Sequence, residues 1–533
     1  MKIKHIPYKN TGYFSSLMCD YLDQKKELNP FYHRFPNLEN FKEQIAEKGA
    51  NFTQEQRNVL VASLHNQYSK TTSSNQTKAN ISLLKDATTF TVVTGHQLNL
   101  FTGPLYFLYK IISTINLTNQ LKKEYPKFNF VPVYWMATED HDFEEINYFN
   151  FKGKKIQWNS NATGGVGRFD TEGLQAVFEA FSSDIGGGTI ANELKSLFED
   201  AYLKHANLTD ATRFLANSLF TAYGLVIIDG DDVALKKMQV PYVKDDLFHN
   251  TAFKKVGETI ENLSAVSSEY KIQVNPREIN YFYLIDGIRE RIVAKDNYFH
   301  VLNTTISFSK VEILKELDEF PERFSPNVVT RPLFQEVILP NLCYIGGGGE
   351  LAYWLELKSY FESQKVAFPM LLLRNSALII AEKQAHKLEK LNISIQDLFL
   401  KQNSLVNKKI REISNIDIDF SEQKEHLVEQ FKSLYVLAEQ TDKSFLGAVK
   451  AQEVKQIKGL EALESRLLQA QKRKLKDQVV RMTEIQNELF PNKSLQERNQ
   501  NFSEHYLEFG SNLIPQLIKH LKPLDDNFLI LEL

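Results

Sequence analysis

Two short clusters of this chain hold the residues best suited to chemistry. Thr94-Gly95-His96-Gln97-Leu98-Asn99 follows the β-branched run Phe90-Thr91-Val92-Val93 and precedes a helical pattern from Tyr106 to Leu121. A strand that breaks at glycine and turns into a helix offers free backbone N–H groups, and ligands of open α/β sheets lie there, beyond the carboxyl ends of the strands. His96 in such a turn can donate to a phosphate oxygen or offset charge that develops in phosphoryl or adenylyl transfer. On that reading its loss would lower turnover more than stability; the plainer reading is a histidine that caps the helix or fills the turn, for which the two losses would be equal. Thr94, Gln97 and Asn99 would bind or orient the same group, and Gly95 would permit close backbone approach. In the second cluster, Val131–Ala137 runs into Thr138-Glu139-Asp140-His141-Asp142-Phe143-Glu144-Glu145. Carboxylates packed around one imidazole repel unless a cation, a substrate amine or an arginine offsets them. A metal site, an ammonium pocket and a solvated helix start compete. We read amine binding with general base work, Asp140 and His141 pointing to the cleft and Glu139 and Asp142 beside them, because an attacking amine must lose a proton. No metal is expected, since no cysteine lies nearby and adjacent Asp140-His141-Asp142 should not all face one ion.

Two further stretches qualify. Gly346-Gly347-Gly348-Gly349-Glu350 before a helix is a candidate cradle, with Gly347 and Gly348 at its centre, although it lacks the Lys-Ser/Thr of a P-loop. Glu350 there disfavours phosphate and suits ribose hydroxyls or an amine; a flexible loop is the bland alternative. Arg331, held extended before Pro332, can grip a carboxylate with both N–H groups or form a structural ion pair. Gly186-Gly187-Gly188 has no strand-turn-helix context and reads as a loop.

Alternating strands and helices must position these clusters. Strand candidates Phe90–Val93, Phe130–Trp135 and Gly224–Asp229, then Cys343–Ile345 and Met370–Leu373, are separated by helical patterns. That alternation implies a mostly parallel sheet with right-handed crossovers. Residues 1–85 read as a helical segment that packs on the core, and 86–385 as a Rossmann-like core with insertions around 148–215 and 245–325. Lys271–Val274, Ile279–Ile285 and Ile288–Val293 suggest a small antiparallel patch, with a hairpin at Asp286-Gly287. Residues 386–495 read as a coiled-coil arm. Ser421–Leu489 has no proline, and a single helix of that length would reach about 105 Å, so an antiparallel hairpin is expected. Its stripe of Leu446, Val449, Leu460 and Leu467 suggests homodimerisation. The tail 496–533 returns to the core, where Phe528–Leu531 adds an edge strand.

Composition narrows the function classes. A chain of 533 residues with 43% hydrophobic content is large enough for several cores. A net charge of −3 gives no bulk attraction to nucleic acid or an anionic membrane. Two cysteines, Cys19 and Cys343, match no disulfide framework or thiolate zinc spacing. No apolar run suits a signal peptide or membrane span, so a cytoplasmic protein is expected.

Trp135-Met136-Ala137-Thr138-Glu139-Asp140-His141-Asp142-Phe143-Glu144-Glu145, together with Thr94–Tyr106, Ser325–Arg331, Gly346–Trp354 and the coiled-coil region, resembles the BshC family, the cysteine ligases of bacillithiol biosynthesis. The resemblance implies a core similar to class I aminoacyl-tRNA synthetases, with an added coiled coil, and a carbon–nitrogen ligase that adds L-cysteine to the amine of glucosaminyl malate. The two-histidine synthetase signature is reduced to Gly95-His96-Gln97, and no Lys-Met-Ser-Lys-Ser loop is present. ATP or another nucleotide is the expected cosubstrate, an adenylate, an acyl phosphate or another activated donor remaining open, and no tightly bound cofactor is expected. The competing class is a non-catalytic nucleotide-binding scaffold that recruits partners through its coiled coil.

Overall fold

Five short runs rich in Val, Ile, Leu and aromatic residues form the central layer: β1 (Thr89–His96), β2 (Asn129–Met136), β3 (Val226–Asp229), β4 (Asn341–Gly346) and β5 (Met370–Leu373). The computed structural model describes residues 2–533. Every position of β1 is buried, as expected for a strand covered on both faces by helices. The strands pair in parallel in the order β5-β4-β1-β2-β3. From β1 the chain steps outward through β2 to β3, then crosses to the other edge of β1 for β4 and β5. The order therefore reverses between β1 and β4, and a doubly wound sheet opens its binding crevice at that switch, outside the carboxyl ends.

Helix α1 (Tyr106–Glu124) joins β1 to β2 and buries Phe107, Leu108, Ile111, Ile112 and Ile115. Phe41 and Ile45, from helix Asn40–Asn51, join Phe90, Val92, Leu117, Leu342 and Ile345 in one core cluster. Burial of apolar area on this scale is the main term that offsets chain entropy. Ahead of α1 the loop is strained: Phe101 and Thr102 have φ of 47° and 69°. Gly103 follows at φ 61°, where a Cβ would lie 2.6 Å from that of Asn99. The tail fixes this loop, since Asn501 Nδ2 donates to the carbonyls of Phe101 and Gly103 at 2.7 and 2.6 Å.

A second, five-stranded sheet orders Ser307–Ser309, Tyr298–Val301, Ile288–Lys295, Tyr281–Ile285 and Phe324–Pro326. The Asp286-Gly287 hairpin is present, with Ile285 paired to Ile288. Lys271–Val274 is not a strand. Residues 270–280 run without regular structure, because their N–H groups bind buried carboxylates: Gln273 and Val274 donate to Glu356, and Asn280 to Asp246. Phe528–Leu531 does lie in a strand, Asn527–Glu532, but that strand is the middle of a separate three-stranded sheet with Lys2–Pro7 and Ala377–Ile380 and not an edge of the parallel one.

The chain divides into two compact units, one built mainly of Lys4–Leu378 with Leu495–Ile530 and one mainly of Ile379–Ser494. In the latter, helices Ser421–Glu439 and Lys443–Lys474 form the expected hairpin, turning at Gln440–Asp442, and Lys476–Leu489 follows. Phe431, Ala438 and Val449 meet between the two arms, while Leu446 and Leu463 remain exposed. No helix among the described residues is long and apolar enough to cross a membrane.

Candidate active site

The carboxyl ends of β1, β2 and β4, the residues just after β5, and one face of the second sheet enclose a cavity of about 690 Å³. It lies at the switch between β1 and β4. Of the residues expected to act, all but Thr94 and Asn99 line it. Thr94 is buried and its hydroxyl donates to the carbonyl of Ile345 at 2.8 Å, which ties β1 to β4. Asn99 donates to the carbonyl of Glu145 at 3.1 Å and so braces the loop after β2. Neither lines the cavity; each side chain is bonded to the backbone carbonyl of a neighbouring segment.

His96 ends β1 with 7% of its surface exposed. Its ring packs on Tyr106 and Phe107, with centroids 5.5 and 5.1 Å away, so it does contribute packing, unlike a simple turn histidine. Burial first, and then Lys110 and Arg374, hold its pKa well below the usual histidine range. The imidazole is neutral. A backbone hydrogen bond at Thr102 leaves Nε2 buried without a partner. Gly95 is small for a reason: a Cβ would come within 3.2 Å of the Tyr344 hydroxyl.

Residues 137–142 form an irregular turn, not a helix start; the helix begins at Phe143. Asp140 Oδ1 accepts the backbone N–H of His141 at 2.8 Å, and Oδ2 accepts Gln97 Nε2 at 2.9 Å. This open turn lets Asp140, His141 and Asp142 each bring one potential ligand atom within 4.8 Å of the others, against the expectation that adjacent residues cannot face one point. Arg289 changes the reading of His141. Its Nη1 lies 2.5 Å from His141 Nδ1, and a guanidinium only donates. Nδ1 therefore accepts, which leaves Nε2 as the ring nitrogen that carries the proton. With Nδ1 taken by Arg289, His141 lacks a free ring lone pair for the general base work expected of it, and Asp140 and Asp142 are the acids of the turn without a lysine or arginine ion pair among the described residues. Glu139 lines the cavity, but its carboxylate is committed to a cation. It forms a buried ion pair with Lys236, which also donates to the carbonyl of Phe324, and burial raises its pKa against the pull of that lysine.

Glu350 is likewise committed. Its carboxylate accepts the Tyr344 hydroxyl at 2.9 Å and the Gly347 N–H at 2.8 Å, and pairs with Lys110 at 2.6 Å. Those cationic and hydrogen-bonding partners outweigh burial and hold its pKa below the usual range. Gly347 thus spends its N–H on Glu350, and Gly348 opens the short helix Gly348–Trp354 on the cavity wall. Arg331 is better placed. Nη1 donates to Gln335 at 3.0 Å, the guanidinium lies over Trp135 and Tyr344, and buried Nη2 has no partner.

Arginines that sequence reasoning missed complete the wall: Arg277, Arg289, Arg291, Arg374 and Arg498. Arg289 and Arg291 stand two apart on one strand, which puts both on one face; that alternation was a readable signal. Lys110, a cation within the apolar first half of α1, was another; its ammonium also donates to the carbonyl of Gly95 at 2.7 Å. Arg374 is buried and paired to Glu497 at 2.7 Å. The cavity thus joins an acidic turn after β2, with Arg289 against it, to a lining rich in further guanidinium groups.

Residues 1–375 match the family described as Bacillithiol biosynthesis BshC, N-terminal Rossmann-like domain, and residues 377–533 match its C-terminal coiled-coil domain. Curated relatives named "Putative cysteine ligase BshC" include those of Christiangramia forsetii, 62% identical over 99% of this chain and 98% of the relative, and Flavobacterium johnsoniae, 62% identical over 99% of each. That of Bacillus cereus is 30% identical over 97% of each chain. An arginyl-tRNA synthetase structure from Plasmodium falciparum aligns at 11% identity over 81% of this chain and 76% of that one, with a TM-score of 0.24, a level at which no argument rests on it.

Proposed function

The chain belongs to the BshC cysteine ligase family of bacillithiol biosynthesis, and on that footing we propose that it joins the carboxyl of L-cysteine to the amine of glucosaminyl malate with a nucleotide as cosubstrate. The observation that carries this reading is the division of charge within one cavity. Among the described residues Asp140 and Asp142 carry no ion pair to a lysine or arginine, while Arg331, over Trp135 and Tyr344, has an N–H without a hydrogen-bond partner. Glucosaminyl malate has the matching pattern, an amine at one part and carboxylates at another. A volume of about 690 Å³ suits a ligand of that size, and the switch-point location suits a nucleotide.

In this scheme Asp140 binds the ammonium of the acceptor and takes the proton that the amine must shed before it attacks. Gln97, bonded to Asp140 and to Glu145 at 2.9 Å each, holds that carboxylate in place. His141 donates through Nε2, and Arg331 grips a malate carboxylate. The new bond is the amide carbon–nitrogen bond, and the activating group leaves the cysteine carboxyl carbon. Calorimetric titration with glucosaminyl malate tests the binding half. Saturable binding that Asp140→Asn and Arg331→Lys each weaken supports the scheme; no binding to the wild-type protein sinks it.

The hairpin supports a homodimer. Val436, Leu437, Phe445 and Leu446, which flank the hairpin turn, are 57%, 54%, 44% and 39% exposed, and clustered exposed apolar residues mark interfaces. Sedimentation should give a dimer with the hairpin intact and monomers after replacing 425–470 with a short linker; a monomeric intact chain at micromolar concentration counts against it.

A further inference from the structure

We infer that Glu356 and Asp246 are positioning residues that hold the strap 270–280 so that Arg277 meets the anionic part of a substrate in the cavity. This rests on the reading of that cavity as the substrate site. The strap has no strand or helix partner of its own, so its path is set by side chains. Glu356 lies just beyond helix Gly348–Trp354, the helix that starts at the cavity's glycine turn. It is fully buried, and its two oxygens accept the N–H groups of Gln273 and Val274 at 2.8 and 3.3 Å. Asp246 is fully buried on helix Val233–His249. Its oxygens accept the backbone N–H and the side-chain amide of Asn280 at 2.5 and 3.2 Å. Asn280 then clasps Arg277 from both sides: its Oδ1 accepts the Arg277 N–H at 3.0 Å and its Nδ2 donates to the Arg277 carbonyl at 2.7 Å.

Neither carboxylate makes a salt bridge. Burial pushes both up to about 7, with the strap's N–H groups opposing it. A carboxylate buried without a cation destabilises a fold. Two of them at the two ends of one strap call for a return elsewhere, and the strap supplies it. Between the anchors, Asn275 and Arg277 line the cavity, as does Arg291. The backbone of Arg277 is fixed while its guanidinium is exposed, which is a preorganised fork for paired oxyanion oxygens. A carboxylate of the acceptor and a phosphate of the nucleotide share that chemistry.

The full-length protein can be titrated at pH 8 with two probes, glucosaminyl malate and ATP. Arg277→Ala should weaken one of them at least tenfold, and the probe that responds identifies the source of the anion. Glu356→Gln and Asp246→Asn should each weaken the same probe, because an amide nitrogen would face an N–H donor. Neither should weaken it further once Arg277 is alanine, and Glu356→Asp should recover part of the loss. Amide exchange should quicken at Gln273, Val274 and Asn280 in the anchor variants and stay unchanged in β1 and β4, which separates loosening from misfolding. Unchanged affinity in the anchor variants, or effects that add in full to that of Arg277→Ala, overturns the inference. If the wild type binds ATP but not glucosaminyl malate, the acceptor reading fails and the ATP arm decides the strap. Binding of neither probe overturns both.

Discussion

Replacing Arg331 with lysine keeps the charge and removes the fork, so it isolates what the guanidinium shape contributes. In the structure Nη1 is taken by Gln335 at 3.0 Å, and the planar group lies 5.7 Å from the ring centre of Trp135 and 5.9 Å from that of Tyr344. Buried Nη2 has no hydrogen-bond partner, and the Tyr353 side chain lies against the same guanidinium; on the proposed reading Nη2 is the group that meets the acceptor. A lysine ammonium is a point charge that cannot both bond Gln335 and present a second N–H in the same plane. Loss of the charge-assisted bond should cost about 1.5–3 kcal/mol, at least about a tenfold weakening of the acceptor. Folding should change by only about 1 kcal/mol, because Gln335 keeps its bond to Glu336 at 3.0 Å. Calorimetry on the variant with glucosaminyl malate and with nucleotide in parallel should show the first weakened and the second nearly unchanged. Unchanged acceptor affinity would refute the reasoning and leave Arg331 as a structural partner of Gln335.

Other consequences follow from the buried charges. Lys236→Met strands Glu139 without its cation and should destabilise by about 3–5 kcal/mol in denaturant titration; adding Glu139→Gln should recover much of that, and a near-neutral single variant would contradict the pairing. Asp246 is pushed from an ordinary 3.8 up to about 7, so the folded state binds its proton more tightly than the unfolded one, and this contribution to stability is full below about pH 4 and lost as pH rises through 7. Its size is at most about 4 kcal/mol at 1.36 kcal/mol per unit. Asp246→Asn should therefore gain in stability relative to wild type between pH 5.5 and pH 8, and a constant difference across that range would dismiss the shift. His96→Ala should lower the melting temperature measurably, by the equivalent of about 2 kcal/mol, since the ring is packed on Tyr106 and Phe107; an unchanged melting temperature would return it to the status of a free turn residue.

The strands that carry the site were legible because each is an apolar run closed by glycine or by a polar cluster. Phe90–Val93 and Val131–Met136 needed no partner to be recognised, and the Asp286-Gly287 turn announced its hairpin. Pairing order was not readable. The switch between β1 and β4 brings Gly95 beside Tyr344 across 250 residues of chain, and no local pattern encodes that. The same limit applies to the site. His96, Asp140 and His141 were found by residue type and position, whereas the commitments of Glu139 to Lys236 and of Glu350 to Lys110 depend on side chains from distant helices. Sequence could count acids in the 139–145 cluster but could not tell a buried, paired one from a free one. Arg289 set the tautomer of His141 from another sheet, which reversed its assigned role. Lys271–Val274 reads as a strand because its apolar Ile272 and Val274 alternate as in one, whereas the N–H groups of Gln273 and Val274 go to Glu356.

The most direct test of the central claim is turnover by the purified chain with L-cysteine, glucosaminyl malate and single nucleotides, followed by mass spectrometry of products. The account predicts the cysteinyl amide of glucosaminyl malate, formed in step with cleavage of one nucleotide and strongly reduced by Asp140→Asn. Absence of that conjugate with every nucleotide, or its undiminished formation by Asp140→Asn, would contradict it.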